Sequence, residues 1–141
     1  MASQLVDSLR TIEVPPFAVR GSVRLVLRLE GLALFALALV VYVALLHGDG
    51  GLFAAFFLAP DLAFLGYLAG PRVGALSYNA THSTIGPALL VSLALLAAPE
   101  VLPFGAIWLA HVGFDRMLGY GLKYPSAFGH THLGAVGREA R

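Results

Sequence analysis

An all-α bundle of four transmembrane helices is the fold this sequence predicts, on three observations. The 141-residue chain is 58% hydrophobic and only 12% charged, with a mean hydropathy of +0.80. An ordinary soluble domain is about 45–50% apolar and about 25% charged. The apolar residues gather in four runs separated by Gly- and Pro-containing turns. If those runs alternate across a bilayer, all 9 basic residues fall on one side. A soluble fold of this length has too little interior to hide the apolar excess, so lipid is the expected solvent and one compact membrane domain the expected count. The net charge of +1, with no basic run interleaved with aromatics, argues against a nucleic-acid partner. Cysteine is absent, which excludes disulfides and thiolate metal ligands and leaves the redox compartment open.

Residues 1–22 are expected to be a cytoplasmic N-terminal segment. Leu5, Val6, Leu9 and Ile12 recur at helical spacing, with Asp7, Arg10 and Glu13 elsewhere around the turn. That suits a short amphipathic helix on the membrane surface, and a disordered tail suits it equally. Pro15-Pro16 ends it. No cleaved signal peptide is expected. The apolar run starts only after Arg20, Arg24 and Arg28 and is too long for an h-region.

The transmembrane domain is expected over 23–119. Its spans are 23–46, 52–69, 73–97 and 104–119, each about 16–25 residues, near the ~20 that cross a bilayer. His47-Gly-Asp-Gly-Gly51, Gly70-Pro71-Arg72 and Ala98-Pro-Glu-Val-Leu-Pro103 are the turns. Residues 120–141 form a polar, glycine-rich tail outside the bilayer. Arg10, Arg20, Arg24, Arg28, Arg72, Arg116, Lys123, Arg138 and Arg141 then share one side, and the opposite turns hold only Asp49 and Glu100 as formal charges. By the positive-inside rule both termini are cytoplasmic.

Each apolar run carries polar intruders: Glu30, Asp61, the pair Asn79 and His82, and the pair His111 and Asp115. Ionisable groups are costly inside a membrane and mark functional sites. Asp61, His82 and His111 fall near mid-span. Asn79 and Asp115 lie one helical turn from His82 and His111 on the same faces, toward the cytoplasm, at the level of Glu30. A pocket open to the cytoplasm and sealed on the far side is the expected shape. Carboxylate oxygens and imidazole nitrogens from Glu30, Asp61, His82, His111 and Asp115 suit a divalent zinc, manganese or iron ion. Asp61, His82, His111 and Asp115 are the candidate catalytic residues, because water on such an ion is a nucleophile at neutral pH. Two other readings stay open. In one, Asp115 pairs with Arg116 or Arg72, and Asn79 with His82, as glue between helices. In the other, the aspartates and histidines relay protons or ions. Pro60 and Pro87 each remove a backbone hydrogen bond, which frees a carbonyl to line a cavity beside Asp61, or simply kinks the helix, the blander reading for Pro87. Gly66 and Gly70 have the spacing of close helix contacts. In the tail, Lys123, His130 and His132 either sit at the interface or fold over the pocket mouth, to hold a phosphate or complete a metal site.

Asp61 with Leu65-Gly-Tyr-Leu-Ala-Gly-Pro-Arg72-Val-Gly, Tyr78-Asn79, His82, Trp108-Leu-Ala-His111, Gly113-Phe-Asp115-Arg116-Met-Leu-Gly-Tyr-Gly-Leu-Lys123-Tyr124-Pro125 and Thr131-His132-Leu-Gly134 resemble a family of small bacterial integral membrane proteins known only as a domain of unknown function. The resemblance spans about residues 25–138 and implies a multi-pass protein of the bacterial inner membrane. A looser similarity links the chain to membrane-embedded metal-dependent hydrolases, which also set His and Asp on short helices; it is analogy alone. Two functions are therefore expected as alternatives: a metal-dependent hydrolase acting on a lipid or phosphate ester, or a non-enzymatic transport or assembly protein with a buried His/Asp network. The lipid bilayer is the expected partner, with homo-oligomerisation open.

Overall fold

The computed structural model describes residues 18–137. The amphipathic helix expected over 5–12 lies outside the described residues. Within them the chain is mostly helical and folds as four rods.

Rod one is helix α1 (Gly21–Val40), prolonged by a π-helical turn (Val41–Leu45). It stops where the Gly48 N–H bonds Tyr42 O at 2.9 Å and the Tyr42 hydroxyl donates to Asp49 O at 2.7 Å. Asp49 caps helix α2 (Gly50–Phe57) by accepting the Leu52 N–H at 2.8 Å. Pro60 cannot donate to an α-helical ladder, and rod two continues as a 3-10 segment (Ala59–Ala69). Gly70, at φ +106, turns the chain into α3 (Pro71–His82).

Rod three is broken. Helix α3 ends at His82, Ser83 is extended, and α4 (Ile85–Leu96) begins anew. Pro87 accounts for the position of the break. In a continuous helix its ring would meet the Ser83 carbonyl, whereas in the first turn of α4 its missing N–H has no intrahelical partner to lose. Pro87 therefore produces a full interruption beside His82, rather than a packing kink. A 3-10 turn (Pro99–Val101) leads into α5 (Leu102–Leu118), rod four. It closes with Gly119 at φ +96, the Gly119 N–H on Arg116 O at 3.0 Å and the Tyr120 N–H on Asp115 O at 2.8 Å, a Schellman motif.

Two rods, Gly21–Leu45 and Gly50–Ala69, are long and apolar enough to cross a membrane. Of the other expected spans, one is divided into two 12-residue helices and the other is a 17-residue helix.

Helix α5 lies antiparallel along α1 at backbone contact. A Cβ at Gly113 would sit 2.6 Å from Phe35 N and 2.9 Å from Gly31 O. The 3-10 segment lies antiparallel on α3, where the Ser77 hydroxyl donates to Ala63 O at 2.9 Å and the Thr81 hydroxyl to Pro60 O at 3.1 Å. Gly66 makes the expected close contact, against Ser77, whereas Gly70 serves the turn. Burial concentrates on α5, in two stretches that run from Gly105 to Ile107 and from Ala110 to Gly113. The second stretch contains His111.

The tail adds β-structure to the expected all-helical fold. Strands β1 (His130–Thr131) and β2 (Gly134–Ala135) form an antiparallel hairpin, with His130 opposite Ala135 and Thr131 opposite Gly134. Thr131 ties the turn, donating to Gly134 O at 2.7 Å and accepting the Leu133 N–H at 3.2 Å. Leu133 is fully buried, and the Val19 N–H bonds His132 O at 3.0 Å. The tail thus packs back on the chain rather than trailing from it.

Candidate metal centre

Asp61 follows Pro60 in the first turn of the 3-10 segment, His82 is the last residue of α3, and His111 and Asp115 lie one turn apart on α5. These four, from three rods, converge. His82 Nε2 and His111 Nε2 are 3.0 Å apart. Asp61 Oδ1 lies 3.3 Å from the first and 3.6 Å from the second. Asp115 Oδ2 stands 3.5 and 4.0 Å from the same two nitrogens.

Asp61, His82 and His111 form a group that could hold a metal ion, their ligand atoms all within 4.8 Å of one another. Zinc bonds of ~2.0–2.2 Å set tetrahedral ligand atoms about 3.3–3.6 Å apart. The observed 3.0, 3.3 and 3.6 Å separations are close to those edges. Two contacts face the outer nitrogen of His82, and Nε2 faces the cluster. Nδ1 is 3.0 Å from Tyr78 O, which only accepts, and 2.9 Å from the Thr81 hydroxyl; a proton on Nδ1 fills the first contact and would leave the Nε2 lone pair free for an ion. His111 Nδ1 is buried with no hydrogen-bond partner among the described residues, so no such contact fixes its tautomer. Phe57 closes one side, its ring edge-on to His111 at 5.3 Å.

The break in rod three is held by Trp108, to which the sequence assigned no role, and by Arg116, one of the polar-site candidates. The Trp108 indole N–H donates to Thr81 O at 2.6 Å. Arg116 donates to His82 O at 2.8 Å and to Tyr120 O at 2.6 Å. Its guanidinium therefore satisfies two backbone carbonyls, where the helix-glue reading paired Asp115 with Arg116 or Arg72. Tyr78 stacks on His82 with ring centroids 3.7 Å apart and donates to Asp115 Oδ2 at 3.0 Å. Its place one turn before His82 was the available signal.

A cavity of about 590 Å³ opens on the cluster, lined by Asp61, Asp115, Tyr78 and Phe64 from the rods and by Tyr120, Lys123, Phe128, Val136 and Gly137 from the tail. Asn79 does not bond His82. It clamps the tail, its amide donating to Lys123 O at 2.9 Å and accepting the Lys123 N–H at 2.7 Å. Lys123 is buried, donates to Phe128 O at 2.7 Å and lies 3.7 Å above the Phe128 ring.

The remaining candidates lie apart from the cluster. Glu30 is exposed on α1 and borders a separate, smaller hollow with Arg116 and His132. Arg72 is exposed at the start of α3. His132 accepts the Leu122 N–H at Nδ1 (2.8 Å), and His130 Nδ1 is 3.0 Å from the Ser126 hydroxyl. Neither histidine lines the cavity.

No curated protein matches the chain, and no solved structure does. Residues 24–136 match the family described as a domain of unknown function (DUF4260), and the chain belongs to that family.

Proposed function

We propose that the protein is a membrane-embedded, divalent-metal-dependent hydrolase whose site faces the cytoplasm. The observation that carries this reading is the convergence of Asp61, His82 and His111 from three rods, with His82 Nε2 facing the other two. Three protein ligands leave a coordination position open, the arrangement of catalytic rather than structural zinc sites. A divalent ion acidifies water to near neutrality, which supplies hydrolysis with its nucleophile. Asp115, beside the histidines and held by Tyr78, is placed to take the proton. Asp61 and Asp115 both line the cavity, so a substrate held there would lie against both carboxylates, beside the position an ion would occupy.

The bilayer setting, with four spans, both ends cytoplasmic and the bacterial inner membrane as location, is part of the same proposal. It is supported by two membrane-length apolar rods and by large apolar side chains turned outward, such as Leu68 at 88% and Leu96 at 85% exposure. Lipid is the partner that satisfies them.

A transport role is the second reading, favoured by the break in rod three next to His82, since interrupted helices build the ion sites of transporters. Ester hydrolysis by purified protein in nanodiscs separates the two. Activity abolished by a chelator, restored by zinc or manganese, and lost in Asp115→Asn with metal content unchanged is the expected result. Metal uptake into sealed vesicles with no hydrolysis of lipid or phosphate esters would replace the hydrolase reading with transport.

A further inference from the structure

We infer that Arg24 and Arg28 form a headgroup site for an anionic phospholipid at the N-terminal end of α1. The inference rests on the bilayer setting proposed above and is independent of the metal reading.

The two arginines stand one turn apart on α1, and both reach the end of α5. Arg24 Nη2 and Arg28 Nε each lie within 4 Å of the point where a Gly119 Cβ would stand. The Arg24 guanidinium carbon is also 3.3 Å from where a Gly134 Cβ would stand, in the turn of the tail hairpin. Arg28 has a structural duty there, its Nε donating to Met117 O at 2.8 Å. For Arg24 the Nε is buried with no hydrogen-bond partner among the described residues. Burial denies that N–H a water, so the charge of this half-buried side chain is met only at its terminal nitrogens.

No carboxylate supplies the countercharge. The ion pairs among the described residues all join a histidine to an aspartate. Glu30, the one acid of α1, comes two residues after Arg28 and so points about 200° around the helix from it. Arg20 adds a third positive charge at the N-cap, and the first turn of α1 holds no acid. The C-terminus of α5 carries only about half an elementary negative charge, enough to account for one guanidinium and not for three.

The surroundings identify the anion. Val23, Leu25, Val26 and Leu29, on the same turns as the arginines, are each more than half exposed. The rod that carries them, Gly21–Leu45, is long and apolar enough to cross a membrane. Arginines among outward apolar side chains at the end of such a rod lie at headgroup level, where lipid phosphates attract basic residues. The guanidinium fork matches phosphate oxygens in pairs. A choline or amine would find no acid beside these arginines, so the net-negative headgroup is preferred over the zwitterionic one.

The test counts bound lipid. The whole chain in detergent micelles is titrated with phosphatidylglycerol or phosphatidylcholine and read by native mass spectrometry, with melting temperatures checked. Wild type should bind phosphatidylglycerol the more tightly, by about tenfold or more. Arg24→Gln should weaken that binding roughly tenfold, and Arg24→Lys, which keeps the charge and loses the fork, severalfold. Arg72→Gln removes the same charge from the exposed start of α3 and should bind like wild type. Equal binding of the two lipids by wild type, unchanged binding in a folded Arg24→Gln, or an equal loss in Arg72→Gln overturns the inference. If Arg24→Gln does not fold, Arg24→Lys decides, and unchanged binding there overturns it. Inorganic phosphate bound as tightly as phosphatidylglycerol assigns a soluble anion and overturns the lipid. If the chain stays in solution without detergent, the bilayer reading fails separately. Titration in buffer with dihexanoyl phosphatidylglycerol then decides the site: binding lost in Arg24→Gln supports it, and binding unchanged or absent overturns it.

Discussion

His82 Nε2 and His111 Nε2 stand 3.0 Å apart, on helices from different rods, with 29 positions of sequence separating them. Two imidazoles at that distance either share a proton or share an ion. Asp61 and Asp115 flank them within 4.0 Å, so the cluster favours positive charge at its centre.

Tyr78 should act through Asp115. Tyr78→Phe removes the 3.0 Å bond to Asp115 Oδ2 and leaves an aromatic ring to stack on His82. Activity should fall about 10–100-fold with metal retained, as for loss of a supporting hydrogen bond. Asp115→Asn should cost more, about 10²–10⁴-fold. Steady-state rates and metal content on the same samples check both.

The α1–α5 contact should not tolerate a methyl group. Gly113→Ala places a Cβ 2.6 Å from Phe35 N, which is backbone and cannot turn aside. A loss of about 1–3 kcal/mol is expected. Gly50→Ala is the control, since nothing lies within 4 Å of its Cβ. Its melting temperature should not fall.

Arg116 should not be replaceable by lysine. Its two terminal nitrogens reach separate carbonyls, those of Tyr120 and His82. A single ammonium cannot span both in the same geometry, and the carbonyl left bare costs about 1–3 kcal/mol. Thermal melting of Arg116→Lys against wild type measures it.

His132 should make stability depend on pH. Burial first, and then the Arg116 guanidinium, lower its pKa below the ordinary histidine value of 6.5. The folded state therefore disfavours the proton that the unfolded state accepts. Its contribution is fully present above the unfolded pKa and is lost as pH falls from there toward the lower folded value. Melting temperature should drop on acidification from about pH 7.5 to 5.5, and His132→Gln should flatten the drop. An unchanged slope would remove His132 from the account.

Much of the cluster was legible in the sequence, and the reasons are local. His111 and Asp115 are one turn apart, and Asp61, His82 and His111 lie midway along apolar runs, so depth and face followed from helical periodicity. Tyr78 obeys the same periodicity, one turn before His82. The break in rod three was readable in principle, because the Pro87 ring opposes the carbonyl of Ser83. Glu30 shows the limit. Its neighbour Gly31 is the residue α1 presents to α5, and one residue further around a helix points about 100° away. The matching depth of Glu30 was correct periodic arithmetic on the wrong face. The tail hairpin gave no signal, since strands of two residues are too short for an alternating pattern. The burial of Lys123 depends on Asn79, 44 residues earlier, a contact that no local pattern encodes.

The central claim is that Asp61, His82 and His111 hold an ion together. Elemental analysis of protein purified without added metal tests it most directly. Wild type should carry stoichiometric zinc, manganese or iron. Asp61→Asn, His82→Ala and His111→Ala should each lose it while remaining folded by circular dichroism, and Glu30→Gln should retain it. A folded wild type that takes up no divalent metal on reconstitution, or metal retained in full by His82→Ala and His111→Ala, would contradict the account.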